Sequence, residues 1–104
     1  LPYLGDLALM QGDGPAAQSH YTEALREHGE TALADQCRYG LARALQMQRR
    51  FDDAGRFYQS IIDKPSSPLA DDSLLQLGRM QYERGQFDDA ILTLQQLKTK
   101  FPDS

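Results

Sequence analysis

Few residues in this chain have the types and spacing that chemistry requires. The two histidines, His20 and His28, are eight residues apart. On a helix that separation puts them roughly 80° apart around the axis and about two turns along it. A metal-binding pair needs the i, i+4 spacing, so both read as solvated surface histidines. The one cysteine, Cys37, can form neither an intramolecular disulfide nor a thiolate zinc site, and its apolar neighbours make it a small packing residue. Its solitude leaves reducing and oxidising compartments equally open. Asp52-Asp53 and Asp88-Asp89 offer paired carboxylates. Adjacent acids in the first turn of a helix complement its dipole, by about 0.3–1 kcal/mol each, and calcium or acid–base work is the secondary reading. The sequence has no glycine-rich phosphate loop and no nucleophile elbow. It reads as a non-catalytic chain with no cofactor and no metal.

Composition narrows the classes further. The chain has 104 residues, 11 Lys+Arg against 15 Asp+Glu, and 40% hydrophobic residues. That length allows one domain with a modest core or a few small repeated units. A formal charge of −4 argues against nucleic acid as a partner, because phosphate neutralisation needs clustered surplus Lys and Arg. No apolar run reaches the roughly 18–20 residues of a membrane span, so no direct membrane insertion is expected. The chain starts at Leu1 and shows no leader pattern, which reads as a domain trimmed from something longer.

The elements that position these residues come from an internal repeat. Phe51-Asp52-Asp53-Ala54 recurs 36 residues later as Phe87-Asp88-Asp89-Ala90. At the same offset Leu41-Ala42-Arg43 falls on Leu77-Gly78-Arg79, Tyr58 on Leu94 and Ile61 on Leu97. A weaker copy lies 37 residues before the middle one, as Leu4-Gly5-Asp6, Ala17, Tyr21 and Ala24. Within each copy apolar and small residues recur at three- and four-residue steps, the helical period, and no segment alternates as a strand does. Breaks fall at Gly12-Asp13-Gly14, Arg49-Arg50 and Gly85. Pro15 suits a first helical turn. Ser67 before Pro68 reads as an N-cap, with Asp71 and Asp72 near the helix start, and Thr31 would cap the equivalent earlier helix. Six helices in three hairpins are predicted, near 1–11 and 15–28, 32–48 and 52–63, and 68–84 and 87–100. They form a single domain over 1–104, with repeats at about 1–30, 31–66 and 67–104. Ala17, Ala54 and Ala90, with Gly5, Ala42 and Gly78, mark where paired helices approach closely.

These residues resemble the tetratricopeptide repeat, whose pattern is a bulky opener, then Leu-Gly, a later Ala-x-x-x-aromatic, and a closing Pro. Leu74, Leu77-Gly78, Ala90, Leu94 and Pro102 supply it in the last copy. The middle copy supplies Leu41-Ala42, Ala54, Tyr58 and Pro65, with Arg38 as the opener, and the first supplies Leu1, Leu4-Gly5, Ala17 and Tyr21. No Trp opens any copy, and Ala8, Leu45 and Gln81 replace the usual first-helix aromatic. The resemblance implies an all-α fold, a right-handed α-α superhelix of stacked hairpins. The junctions at 65–72 and 100–104 resemble those of bacterial cell-envelope tetratricopeptide proteins, of the Tol-Pal and outer-membrane assembly lipoprotein kinds. That implies a periplasmic or envelope location, with the cytoplasm as the alternative, and a further repeat after Phe101-Pro102-Asp103-Ser104.

In such proteins the first helix of each repeat lines a concave face. The phase then leaves Asp6, Leu9 and Met10 on that stripe, followed by Tyr39, Arg43, Gln46 and Met47, and by Leu75, Arg79, Tyr82 and Glu83. Arg43 and Arg79, one repeat apart, suit bidentate bonds to a carboxylate, with tyrosines and methionines as apolar contacts. The opposing reading pairs these arginines with Asp6, Asp72 or Glu83 in solvent, where they contribute little, and packs Tyr39 or Tyr82 on a neighbouring hairpin. Residues 35–70 carry six bases and four acids between two acidic stretches, which would steer an acidic ligand toward the middle. The expected function is a protein-interaction scaffold that binds a peptide segment or partner helix. The alternative is a structural repeat that self-associates through its end helices, where Ile91, Leu94 and Leu97 are left exposed.

Overall fold

The computed structural model describes residues 3–29, 33–64 and 66–103, with His28 described for its backbone alone. Among these residues there are six α-helices and no strand. They are α1 (Tyr3–Met10), α2 (Gly14–His28), α3 (Leu33–Met47), α4 (Phe51–Ile62), α5 (Ala70–Glu83) and α6 (Phe87–Lys100). The helix count and order agree with the periodicity, and each boundary lies within two residues of its predicted place. None of these helices is long and apolar enough to cross a membrane. Leu1, Thr31 and Pro65, which carried an opener, a cap and a closing proline in the sequence pattern, lie outside the described residues.

One local device turns the chain at the end of α1, α3 and α5. Asp13 N–H donates to the Ala8 carbonyl, Arg50 N–H to that of Leu45, and Gln86 N–H to that of Gln81, each at 2.9 Å. The residue before each donor is left-handed: Gly12 at φ 74°, Arg49 at φ 62° and Gly85 at φ 77°. This is the Schellman closure, which satisfies carbonyls that a helix end would otherwise leave without partners. Glycine adopts that conformation without steric penalty, whereas a side chain there is disfavoured by roughly 1–2 kcal/mol. At Arg49 the guanidinium lies 5.3 Å from the centre of the Phe51 ring, a contact of about 0.5–1 kcal/mol that offsets part of the penalty.

The helix starts are less uniform. Asp13 caps α2 by accepting from Ala16 N–H at 3.1 Å, with Pro15 in the first turn as expected. Ser67, by contrast, does not cap α5. The helix begins at Ala70, and Leu69 stands at the capping position without a side-chain bond. The chain is still turning at 66–69, where the Ser67 hydroxyl accepts from Leu69 N–H at 3.3 Å, and Pro68 belongs to that turn. Asp71 and Asp72 do stand in the first turn of α5, as Asp52, Asp53, Asp88 and Asp89 do in α4 and α6.

The chain divides into two compact units, Leu1–Phe57 and Tyr58–Ser104, with the division inside α4. In the first, α2 packs against both α1 and α3, and α1 also touches α3. Its core is built from Ala8, Ala17, Tyr21, Ala24, Cys37, Leu41, Ala42, Ala44, Leu45 and Ala54. Burial raises the Cys37 thiol above its ordinary pKa, so it stays a neutral packing group. Arg38, standing where a bulky residue opens the repeat, is held by Asp35 at 2.8 Å. In the second unit α5 packs on α6. Gly78 allows that approach, since a Cβ there would stand 2.7 Å from Leu94. Thr93 Oγ1 donates to Gln81 Oε1 at 2.6 Å across the same pair. Leu97 is half-buried, in contrast to its expected exposure, while Ile91 and Leu94 are exposed.

Ala54 has no exposed surface. Replacing it by Leu is expected to overpack the site and lower stability by about 1–3 kcal/mol. Thermal unfolding followed by circular dichroism measures this, and an unchanged midpoint would contradict the assigned packing face.

Candidate functional site

The site is organised by Tyr21, a residue that the repeat pattern marks only as packing. Its ring is buried at 1% exposure on α2, between two glycines of neighbouring helices. A Cβ at Gly5 on α1 would come within 2.7 Å of the ring, and one at Gly40 on α3 within 2.3 Å. No side chain fits at such distances, so both glycines are required by the approach of the ring. Gly5 belongs to the repeat pattern. Gly40 does not, and its signal in the sequence is a glycine in mid-helix, where it disfavours the helix by about 1 kcal/mol unless packing requires it.

The phenol also connects α2 to α1 electrostatically. Its hydroxyl donates to the Asp6 carboxylate, and burial together with that bond raises the Tyr21 pKa far above the ordinary value. The positive charge of Arg43 acts on Tyr21 in the opposite sense without cancelling the rise. Asp6 is therefore oriented from below by a buried proton donor, and Arg43 stands close by on α3.

Around these two charges lies an open cleft of about 190 Å³, lined by Asp6, Leu9, Met10 and Arg43. Asp6, Leu9 and Met10 stand at i, i+3 and i+4 and so share one face of α1. Met10 is 84% exposed and Leu9 partly so, which leaves apolar surface beside the charges. Arg43 is exposed and makes no ion pair within 4.0 Å among the described residues. The expected alternative, an Arg43–Asp6 pair, is thus not formed, and the Asp6 carboxylate bonds Tyr21 instead. Asp6, Leu9, Met10 and Arg43, four of the residues singled out from the sequence, are brought together.

Tyr39, Gln46 and Met47 lie on the same helix as Arg43 and do not line the cleft. Tyr39 and Gln46 are half-buried, and Met47 is exposed. In the second unit Leu75, Arg79, Tyr82 and Glu83 are all exposed on α5. Tyr82 meets Phe87 edge-on, with centroids 5.1 Å apart, so its ring is anchored by its own hairpin. Phe87 entered the sequence reading only as part of the repeat, and its contact with Tyr82 across the α5–α6 turn leaves no trace in either helix's periodicity. His20 is exposed on α2, as expected.

Paired helices closed by the same turn, with a small residue at each close contact, are a repeat architecture. Comparison with family models agrees: tetratricopeptide repeat models match residues 4–68 and residues 72–104. The chain belongs to the tetratricopeptide repeat family. No curated protein matches it. Tetratricopeptide repeats generally mediate protein–protein interaction, and proteins built from them are typically non-catalytic scaffolds. The cleft of this tetratricopeptide chain sets a guanidinium with no ion pair among the described residues beside the half-buried Leu9 and the exposed Met10.

Two outcomes check the role of Tyr21. Gly40→Ala gains about 1 kcal/mol of helix propensity but drives a methyl group into the ring, and a net loss of about 1–3 kcal/mol is expected in urea unfolding. Tyr21→Phe tests the phenol. A proton held more tightly in the folded state stabilises fully below the unfolded pKa of 10.0, and this contribution is lost as pH rises above it. Wild type should therefore lose stability above that pH more steeply than Tyr21→Phe, as read from unfolding midpoints at successive alkaline pH values.

Proposed function

We propose that the α1–α3 face binds an extended protein segment that carries a carboxylate next to an aliphatic side chain. The observation that carries this reading is the cleft itself, which sets Arg43, with no ion pair among the described residues, beside Leu9 and Met10. Arg43 offers a planar set of N–H donors matched to a carboxylate. Asp6, fixed by Tyr21, retains acceptor capacity for a backbone N–H of the same segment. Leu9 and Met10 receive the aliphatic side chain, and the flexible Met adapts to its shape. Tyr39, Gln46 and Met47 extend the contact along α3. Leu75, Arg79 and Tyr82 form the corresponding contact of the second unit, with Arg79 the repeat counterpart of Arg43. The net positive balance of residues 35–70 favours an acidic segment at long range, an effect that salt weakens. We assign the chain to the bacterial cell envelope on the likeness of its junctions at 65–72 and 100–104, which fractionation of the source cells would check.

The test uses fluorescence anisotropy with labelled peptides that share an aliphatic core and end in a free carboxylate, an amide or a lysine. The free carboxylate should bind best. Arg43→Ala should weaken that peptide about tenfold, equivalent to about 1.4 kcal/mol, with Arg43→Lys in between and the helical signal unchanged. Equal affinity for the carboxylate and amide peptides would remove Arg43 from the site.

A further inference from the structure

Opposite charges that share a cleft ordinarily pair, and at the α1–α3 face they do not. Asp6 and Arg43 both line the cleft, and Arg43 makes no ion pair among the described residues. The cause lies underneath. Asp6 Oδ1 accepts from the Tyr21 hydroxyl, and the Tyr21 ring is buried and fixed between Gly5 and Gly40. A bond to a charged acceptor from a donor held in the core outweighs an ion pair in solvent, where long side chains lose entropy on pairing. Asp6 Oδ2 has no further bond among the described residues. Asp6, Arg43 and Arg79 hold the same position in successive copies, so the first copy reverses the charge that the other two carry.

We propose that Tyr21 holds Asp6 and Arg43 apart as an open pair of charges, and that the segment bound there carries a lysine as well as a carboxylate. The carboxylate goes to Arg43, as in the function proposed above, on which this inference rests. The lysine ammonium goes to Asp6 Oδ2. An ammonium is a compact donor that needs one oxygen, whereas a guanidinium fork is matched to two, and Tyr21 already engages the other. The lysine stem lies over Leu9 and Met10, which stand one turn further along the same face of α1. The aliphatic side chain that these two residues receive is then the stem of the lysine itself. A second carboxylate in its place would meet the charge of Asp6 and be repelled, so the site separates a mixed segment from a wholly acidic one. Tyr21 touches no part of the ligand. It is a positioning residue that keeps the two charges from cancelling.

Fluorescence anisotropy on the whole chain tests this with end-capped peptides that carry Lys and Glu, in both orders, at alternate positions, which share one side of an extended segment. One control replaces Lys by norleucine, which keeps the stem without the charge, and the other replaces Glu by Gln. In one order the Lys–Glu peptide should bind about three- to fivefold tighter than the norleucine–Glu peptide, toward the upper end for an exposed ion pair. Asp6→Asn keeps an acceptor for Tyr21 and should abolish that difference while leaving the preference for Glu over Gln. Tyr21→Phe frees Asp6 to pair with Arg43 and should weaken the norleucine–Glu peptide about threefold. Adding Asp6→Asn to Tyr21→Phe should restore it, a recovery that lost packing would not give. Circular dichroism confirms folding, and Asp6→Asn, at an exposed position, carries the test if Tyr21→Phe does not fold. Equal affinity for Lys and norleucine in both orders, with Glu still preferred, overturns this inference and leaves the function above standing. Equal affinity for Glu and Gln overturns both. A double variant as weak as Tyr21→Phe overturns the holding role of Tyr21.

Discussion

The first unit depends on the wedging of one aromatic ring between two glycines. Tyr21 stands on the middle helix of three, and the spaces at Gly5 and Gly40 let α1 and α3 close on its ring. Burying a side chain of this size contributes on the order of 1.5–3 kcal/mol, a large share of the stability of a small unit. The same residue has a polar end, and a buried phenol needs a partner. Asp6 provides it from α1. Packing and polarity therefore act through one side chain. The ring sets the spacing of the helices, and the hydroxyl sets the orientation of the carboxylate at the cleft. Moving Tyr21 would change both together.

The scaffold and the surface vary independently. The closures at Gly12, Arg49 and Gly85 share one pattern of hydrogen bonds, spaced by the repeat, and the small residues Ala17, Ala54 and Ala90 are buried in every copy. Close packing tolerates little change at the alanine positions, so the sequence repeats there, and glycine recurs at two of the three closures, with Arg49 the departure. The exposed positions are free of that constraint. At one such position the first copy carries Asp6 and the later ones carry Arg43 and Arg79. A repeat of this kind can take on a binding surface without disturbing its core, because the residues that hold the helices together are not those that face a partner.

Much of this architecture was legible in the residues, and its omissions have physical causes. Helices appear in a sequence because burial on one face imposes a period, which α1 to α6 all obey. Ser67 misled because a hydroxyl before a proline suits a helix cap and a turn equally well, and only the path of the chain through 66–69 separates them. Gly40 was passed over because in isolation it looks like a weak point in α3. Its purpose exists only once the Tyr21 ring stands against it. Leu4 keeps the repeat phase and is nevertheless exposed, since periodicity says which face is apolar and not whether another helix covers it.

By itself the amino-acid sequence determined the helix count, the repeat, the breaks within each hairpin, and the membership of Asp6, Leu9 and Met10 on one helical face. These follow from local geometry, where a fixed number of residues per turn converts spacing into direction. Tertiary structure alone decided that the Asp6 carboxylate is bonded by Tyr21 and that Arg43 stands beside it without an ion pair among the described residues. Those outcomes depend on distances between residues far apart in the chain. Such distances are set by how closely α1, α2 and α3 pack, and no period along a single helix carries that information.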